Sequence, residues 1–325
     1  MKKNIRFLSV IFTLLFLFSL NQYNVVLATN EVYLGGMTAG FSLQTRGVEV
    51  VGLCDVVTEL GTCSPGQESG LIVGDVILSI DGADIFNAND IAKNINKKKV
   101  VNVNIKRKSE DLTKNVKVAK DLAGQYKLGV FIRDCISGIG TITYVKGNRF
   151  ASLGHPVLDS NGETLDVIGG NIFSCNITGC VKGLRGSAGE LKGVFLRKDP
   201  IATIDKNSEY GVYGTVYKNF DFTNLIKIEI GCAQVGDAVI YSTVNAHEVK
   251  EYNVSIVKTD YDTDSKNFVI KIEDEELLSC TGGIVQGMSG SPIVQNGKLV
   301  GAVTHVFIND PTRGFGISIS NMINN

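Results

Sequence analysis

The hydrophobic pattern changes character three times along the chain. Phe7 to Leu20 is a largely apolar run preceded by Lys2, Lys3 and Arg6. From Tyr33 to Ala119, short strand-like runs mix with one helical repeat. Gly40 to Leu43 and Gly47 to Val51 predict two short strands, and Ser64-Pro65-Gly66 turns the chain into a short helix around Glu68 to Leu71. Gly74 to Ile80 predicts a strand closed by an Asp81-Gly82 turn. Ile91, Ala92 and Ile95 share one face of a helix that Asn87 or Asn89 caps, because a side-chain oxygen there accepts the free N–H groups of the first turn. Strands over Val100–Arg107 and Thr113–Val118 close this region, and Asp121 to Asp134 reads as a connection. From Ile136 onward short strands and glycine turns continue without helical periodicity, which predicts a β-sandwich or barrel.

The sharpest local signal lies between Thr281 and Phe307. A strand from Pro292 to Val294, an Asn296-Gly297 turn and a strand from Leu299 to Phe307 predict a hairpin. Ser289 precedes it, between glycines in Gly287-Met288-Ser289-Gly290-Ser291-Pro292. A serine hydroxyl is a weak nucleophile until a base takes its proton. Flanking glycines let the backbone turn tightly and gather N–H groups at one point, which is what an oxyanion hole requires. A lone Gly-x-Ser-Gly is more often a plain turn, so its surroundings decide. Ser291 ranks behind Ser289 because Pro292 restricts its backbone.

Composition narrows the classes. A chain of 325 residues suggests about two domains, and 44% apolar with 20% charged residues suffices for a core. A net charge of −1 gives no electrostatic case for nucleic acid. Seven cysteines (54, 63, 135, 175, 180, 232 and 280) leave at least one unpaired, so buried free thiols are expected for most; Cys175–Cys180 and Cys54–Cys63 could each bridge in an exported chain, the first being favoured. No Cys-x-x-C and no close histidine pair argues for a metal, and no glycine loop sits in a phosphate-binding context, so no cofactor is expected. The basic start, apolar run and small residues at Val26-Leu27-Ala28 make residues 1–29 an export signal or a retained anchor.

Several motifs resemble known families. The segment around Ser289 resembles the nucleophile segment of chymotrypsin-like serine peptidases. T-G-G-I-V-Q-G-M-S-G-S-P-I, with G-A-V-T-H-V-F-I-N-D-P after it, resembles the SpoIVB peptidase family, sporulation serine peptidases that carry a PDZ domain ahead of the catalytic domain. S-G-L-I-V-G-D-V-I-L-S-I-D-G-A-D-I-F-N-A-N-D-I resembles the middle of bacterial PDZ domains. The resemblance implies a mainly β chain: a small α+β PDZ domain over 33–120, then a chymotrypsin-like double β-barrel over 121–325. HtrA-type proteases place the PDZ domain after the catalytic one, the reverse of this order.

The same resemblance assigns roles. Ser289 attacks, and His155 in A-S-L-G-H-P is its base. Asp274 in K-I-E-D-E-E-L-L is the third member, with Asp159 as a local rival and Asp166 and Asp205 behind. Gly287 and Ser289 N–H groups form the oxyanion hole. Thr304, His305 and Val306 line the substrate cleft, and Ala39-Gly40-Phe41 is the loop that holds a peptide carboxylate at the PDZ domain. Met288 stands where digestive peptidases carry an aspartate, so activation by an ion pair to a new N-terminus is excluded. The implied activity is an exported endopeptidase of spore formation, in the space between the forespore and mother-cell membranes. It cleaves itself and a membrane-bound regulator to release a partner protease and so late mother-cell transcription. The competing expectations are a non-catalytic PDZ peptide-binding regulator and an extracytoplasmic quality-control protease.

Overall fold

The computed structural model describes residues 30–159, 162–263 and 265–325, so the export segment expected at 1–29 lies outside the described residues. The chain opens with strands β1 (Glu31–Leu34) and β2 (Thr38–Leu53), followed by the short hairpin β3 (Val56–Thr58) and β4 (Gly61–Cys63). Strands β5 (Val76–Ile80), β6 (Ala83–Asp84), β7 (Val100–Arg107) and β8 (Glu110–Lys117) form the sheet of a small α/β domain. Its helix Ala88–Ile95 is capped by Asn87, whose side chain accepts from the Asn89 and Asp90 N–H groups. Of the two candidate caps, the one outside the helical backbone does the capping. Val48, Val50, Ile77, Ile91, Val103 and Ile105 form the core of this domain. Its buried Asp75 is matched by two bonds from Arg107, at 2.7 and 2.9 Å.

After β9 (Ala119–Lys120) and β10 (Tyr126–Lys127) come the strands of the first barrel, β11 (Val130–Lys146), β12 (Arg149–Ser152), β13 (Val167–Val181), β14 (Glu190–Ser208) and β15 (Gly211–Val216). The pairings β2–β11–β12–β15–β14–β13 return to β2 and close a ring of six antiparallel strands. Strand β16 (Lys227–Ile230) precedes the second barrel, β17 (Gly236–Ser242), β18 (Lys250–Thr259), β19 (Phe268–Ile272), β20 (Pro292–Gln295), β21 (Lys298–Phe307) and β22 (Asp310–Ser318). Pairings β17–β18–β19–β22–β21–β20 return to β17 and close a second six-stranded ring. Closure removes sheet edges that would otherwise expose unpaired backbone groups. Tyr144, Ala151 and Tyr213 of one barrel and Val294, Ala302 and Ile317 of the other share one apolar cluster between them.

Two expectations change here. Gly40–Leu43 and Gly47–Val51 are halves of one 16-residue strand. A single partner, β11, runs beside both, from Leu53 opposite Val130 to Thr38 opposite Thr141. Gly47, at φ 83°, absorbs the bend without reversing the chain, where a Cβ would stand 2.7 Å from Val76 Cγ1. Ala39, Gly40 and Phe41 are therefore no carboxylate loop. They pair with Gly140, Ile139 and Gly138 on one edge and with Ser174, Phe173 and Ile172 on the other. No strand can add to either edge, because both sets of backbone groups are used.

The boundary expected between residues 120 and 121 is likewise crossed in both directions. Residues 38–45 belong to the first barrel, whereas Val130–Arg133 pairs with Leu53, Gly52, Val50 and Glu49 as the edge of the small domain's sheet. Leu128, only 3% exposed, joins that domain's core. A buried leucine cut to alanine leaves a cavity as well as lost apolar burial. Leu128→Ala should thus destabilise the small domain by about 2–4 kcal/mol, read as a shift of its unfolding midpoint in urea; an unshifted midpoint would place this segment outside that core.

Candidate active site

The segment that carries Ser289 follows the helix Glu275–Thr281, which ends at Gly282 in the left-handed conformation, φ 73°. Gly287 at φ 100° and Gly290 at φ 94° bracket Ser289, backbone angles that favour glycine. The turn is tied internally by Met288 N–H to the Val285 carbonyl (3.1 Å) and Ser291 N–H to the Met288 carbonyl (2.9 Å). Met288 itself is fully buried in the second barrel's core. Gly290 makes a close passage: a Cβ there would stand 2.1 Å from the Thr141 carbonyl oxygen and 2.5 Å from the Leu153 nitrogen. Those two atoms belong to the strand before His155 and to the turn carrying it.

His155 is aimed by an unusual turn. Leu153 has φ 66° and Gly154 φ 71°, and a left-handed leucine is uncommon enough to mark a strained, functional turn. Gly154 lies against the Thr304 methyl, where a Cβ would come within 2.9 Å. His155 and Ser289 consequently open on one cleft of about 730 Å³, together with Thr304, His305 and Val306. Its walls are apolar, with Ile139, Ile284 and Ile308 among them, and no Asp, Glu, Lys or Arg lines it among the described residues. A second cleft of about 500 Å³, between the small domain and the first barrel, is lined by charges of both signs and holds neither Ser289 nor His155.

Hydrogen bonds define the resting state. Ser289 Oγ donates to the Thr304 carbonyl at 2.8 Å. His155 Nδ1 lies 2.8 Å from the Pro156 carbonyl oxygen. A carbonyl only accepts, so Nδ1 carries the proton and Nε2 is the free acceptor. Burial pushes the His155 pKa below its ordinary value, with the Pro156 contact opposing. The His305 ring stands 4.8 Å from that of His155, tilted by 41°. Its own pKa is pushed down, by burial first and then by the proximity of His155 and Lys266, which disfavour a further positive charge. Neither Gly287 nor Ser289 N–H donates to an acceptor among the described residues, so both remain available to a ligand.

Asp274 is placed otherwise than expected. It is the N-cap of the helix Glu275–Thr281, with Oδ1 accepting from Leu277 N–H at 3.0 Å and Oδ2 from Asn253 N–H at 3.3 Å. Its carboxylate is committed to backbone donors, and the position beside His155 Nδ1 is held by Pro156. The rivals are elsewhere too: Asp205 pairs with Arg149, Asp159 accepts from Glu163 N–H, and Asp166 faces the charged cleft. His247 is exposed and away from the site cleft, and Ser291 Oγ is buried against Ser242 Oγ at 3.0 Å. All seven cysteines are free thiols, Cys175 and Cys180 included. Only Cys175 is buried, and Cys135, Cys232 and Cys280 are exposed, so burial does not explain most of them. No group of three His, Cys, Asp or Glu side chains is gathered as a metal site would require, among the described residues.

Sequence reasoning passed over Thr141 and Thr143. Both are buried on β11, and their hydroxyls donate to the Gly287 and Gly290 carbonyls, each at 2.8 Å. The available signal was two hydroxyls at alternate positions of an otherwise apolar run, Gly140-Thr141-Ile142-Thr143-Tyr144.

Comparison with known proteins follows these features. The profile of the SpoIVB peptidase S55 family matches residues 124–323, and that of the PDZ domain matches residues 36–118. No curated protein sequence matches the chain significantly. Among solved structures, the PDZ domain of the SdrC-like protein from Listeria monocytogenes is 27% identical, covering 27% of this chain and 90% of that one, with a TM-score of 0.23. The Rv3671c protease of M. tuberculosis in its active form is 15% identical, covering 58% of this chain and 72% of that one, with a TM-score of 0.34. An inactive form of the Rv3671c protease is 14% identical over 57% and 81% of the two chains, also with a TM-score of 0.34.

The Asp274 geometry gives a discriminating experiment. Removing an N-cap costs about 0.5–2 kcal/mol, so Asp274→Ala should lower stability by that amount in chemical unfolding. A rate loss near 10⁴ with unchanged stability, the signature of a lost triad aspartate, would return Asp274 to the catalytic group.

Proposed function

The chain belongs to the SpoIVB peptidase S55 family and is a serine endopeptidase, and we propose that Ser289 is its nucleophile, His155 its general base and the Gly287 and Ser289 N–H groups its oxyanion hole. What carries the reading is the convergence of three features on one uncharged cleft. They are a serine between positive-φ glycines, an imidazole with Nε2 free, and two unspent N–H donors. A catalytic hydrogen bond is often long or poorly aligned before substrate arrives. Rotation of the Ser289 side chain away from the Thr304 carbonyl is the motion the reading requires.

The steps follow from these groups. Ser289 Oγ adds to the scissile carbonyl carbon while His155 Nε2 takes its proton. The carbonyl electrons move onto oxygen, where the Gly287 and Ser289 N–H groups meet the charge; losing one such donor typically costs about 10²–10³ in rate. The C–N bond breaks as His155 returns the proton to the leaving amine. Water then adds to the acyl ester, giving its proton to His155, which restores the serine. The Pro156 carbonyl keeps Nδ1 protonated throughout, the orienting task that a carboxylate performs in a triad. Thr304, His305 and Val306 form the wall along which an extended substrate runs, and the absence of charge in the cleft favours apolar side chains next to the cut.

The PDZ domain is a peptide-binding module, and an endopeptidase takes protein substrates. Family membership supports the finer reading. The enzyme acts in spore formation, exported across the forespore membrane into the intermembrane space. There it processes itself and cuts a membrane-associated regulator to activate a partner protease and late mother-cell transcription. The pairing of Ala39–Phe41 on both edges weighs against a purely peptide-binding protein working through that loop.

A fluorophosphonate probe should label the native protein and fail to label Ser289→Ala; equal labelling of both would remove Ser289 from the nucleophile role. Burial lowers the His155 pKa, so its neutral, proton-accepting form persists below pH 6.5. The labelling rate should therefore hold as pH falls through 6.5 and drop only at lower pH. A limb centred at or above pH 7 would mean that another group titrates.

A further inference from the structure

We propose that Thr141 is a positioning residue for this hydrolysis, a buried strand threonine that orients the oxyanion-hole backbone and ties it to the turn bearing His155; the proposal rests on the Ser289 reading above. Four observations meet at this residue. Its Oγ1 donates to the Gly287 carbonyl at 2.8 Å. Its N–H donates to the Ser289 carbonyl at 2.9 Å. Its own carbonyl accepts from Leu153 N–H at 3.4 Å, two residues before His155. The same carbonyl oxygen fills the space that a side chain on Gly290 would need.

The chemistry of the position explains why a hydroxyl is there. Along β11 burial alternates from Val130 to Ser137 and becomes continuous from Gly140 to Val145, where the strand passes under the second barrel. Ile142 and Val145 turn into the first barrel's core and Tyr144 joins the cluster between barrels. Thr141 and Thr143 both face the turn that carries Ser289, as their hydroxyl bonds to its Gly287 and Gly290 carbonyls show. A buried hydroxyl without a partner is costly, and an isosteric valine would fit the space without that cost. The hydroxyl is matched to one carbonyl, that of Gly287.

That carbonyl matters because it belongs to the peptide plane next to the one that carries the Ser289 N–H. With no side chain at Gly287 and φ 100°, the peptide planes flanking it are held only by what they bond to. Fixing the Gly287 and Ser289 carbonyls from one strand sets the peptide planes on either side of the one that carries the Ser289 N–H, while the plane that carries the Gly287 N–H is held by Leu191 N–H, which donates to the Gln286 carbonyl at 2.9 Å. An oxyanion hole works only if its donors are aimed before charge develops. Thr143 bonds the Gly290 carbonyl, beyond both donors, and serves as the internal control.

The experiment compares Thr141→Val, Thr141→Ser and Thr143→Val in the full chain, using the second-order rate of fluorophosphonate labelling and hydrolysis of an N-acyl apolar p-nitrophenyl ester. Thr141→Val should slow labelling and lower kcat by about 10- to 100-fold, an indirect share of the loss from one oxyanion donor. KM and Tm should stay close to wild type. Thr141→Ser, which keeps the donor, should restore most of the rate, and Thr143→Val should lose markedly less than Thr141→Val. If Thr141→Val does not fold, Thr141→Cys, similar in size with a weak donor, should show the same fall in kcat at constant KM. Wild-type kcat in Thr141→Val or Thr141→Cys overturns the proposal, as does a loss that Thr141→Ser shares in full. Failure of the wild type itself to label would overturn the Ser289 reading and this proposal with it, whereas equal labelling of wild type and Thr141→Val overturns this proposal alone.

Discussion

The site depends on one close passage between the barrels, the one at Gly290. The Thr141 carbonyl and the Leu153 nitrogen occupy the space where any other residue would carry a Cβ. That crossing lets a turn from the second barrel reach a strand and a turn of the first, and the cleft exists because they meet there. Neither barrel contains both Ser289 and His155. The site is therefore a property of the interface, held by the apolar cluster of Tyr144, Ala151, Ala302 and Ile317 behind it. Close packing makes such an arrangement stiff, since a displaced turn would open voids on both sides.

Within the cleft, charge is handled by backbone and not by side chains. No ionised side chain lines it among the described residues. His155 is held neutral by burial, and its tautomer is set by a carbonyl dipole. A carbonyl orients an imidazole but, lacking a full negative charge, stabilises an imidazolium less than a carboxylate does. In the proposed reaction the developing negative charge on the substrate falls to the Gly287 and Ser289 N–H groups. In a dry, apolar surrounding such dipoles act more strongly than in water, which is how an uncharged site can still favour a charged transition state.

The small domain is joined to the first barrel by shared strands, not by a tether. β2 and β11 run side by side through both, so the backbone that completes the small domain's sheet continues to the threonines under the nucleophile turn. This is why residues 126–133, which read as a connection, turn out to be structural. A segment with Leu128, Val130 and Ile132 at alternate positions has the pattern of an edge strand, but the pattern alone does not name its partner.

What the sequence settled by itself was local. The Asn296-Gly297 turn, at φ 53° and 72°, and the Asp81-Gly82 turn, at 50° and 82°, follow from the backbone preferences of those residue pairs. The glycines about Ser289 and the cap before Ala88 were legible for the same reason: each depends on atoms a few residues apart. The choice of Ser289 and His155 needed motif context, and their meeting on one cleft needed the fold. The Asp274 cap and the Pro156 contact of His155 are local too, and the motif reading passed over them; only the tertiary structure decided that Ala39–Phe41 lies between two strands and that Thr141 reaches Gly287 across 146 positions. Such pairings are set by which strands close a barrel. That is a choice made by the burial of whole faces at once, and no short stretch of sequence contains it.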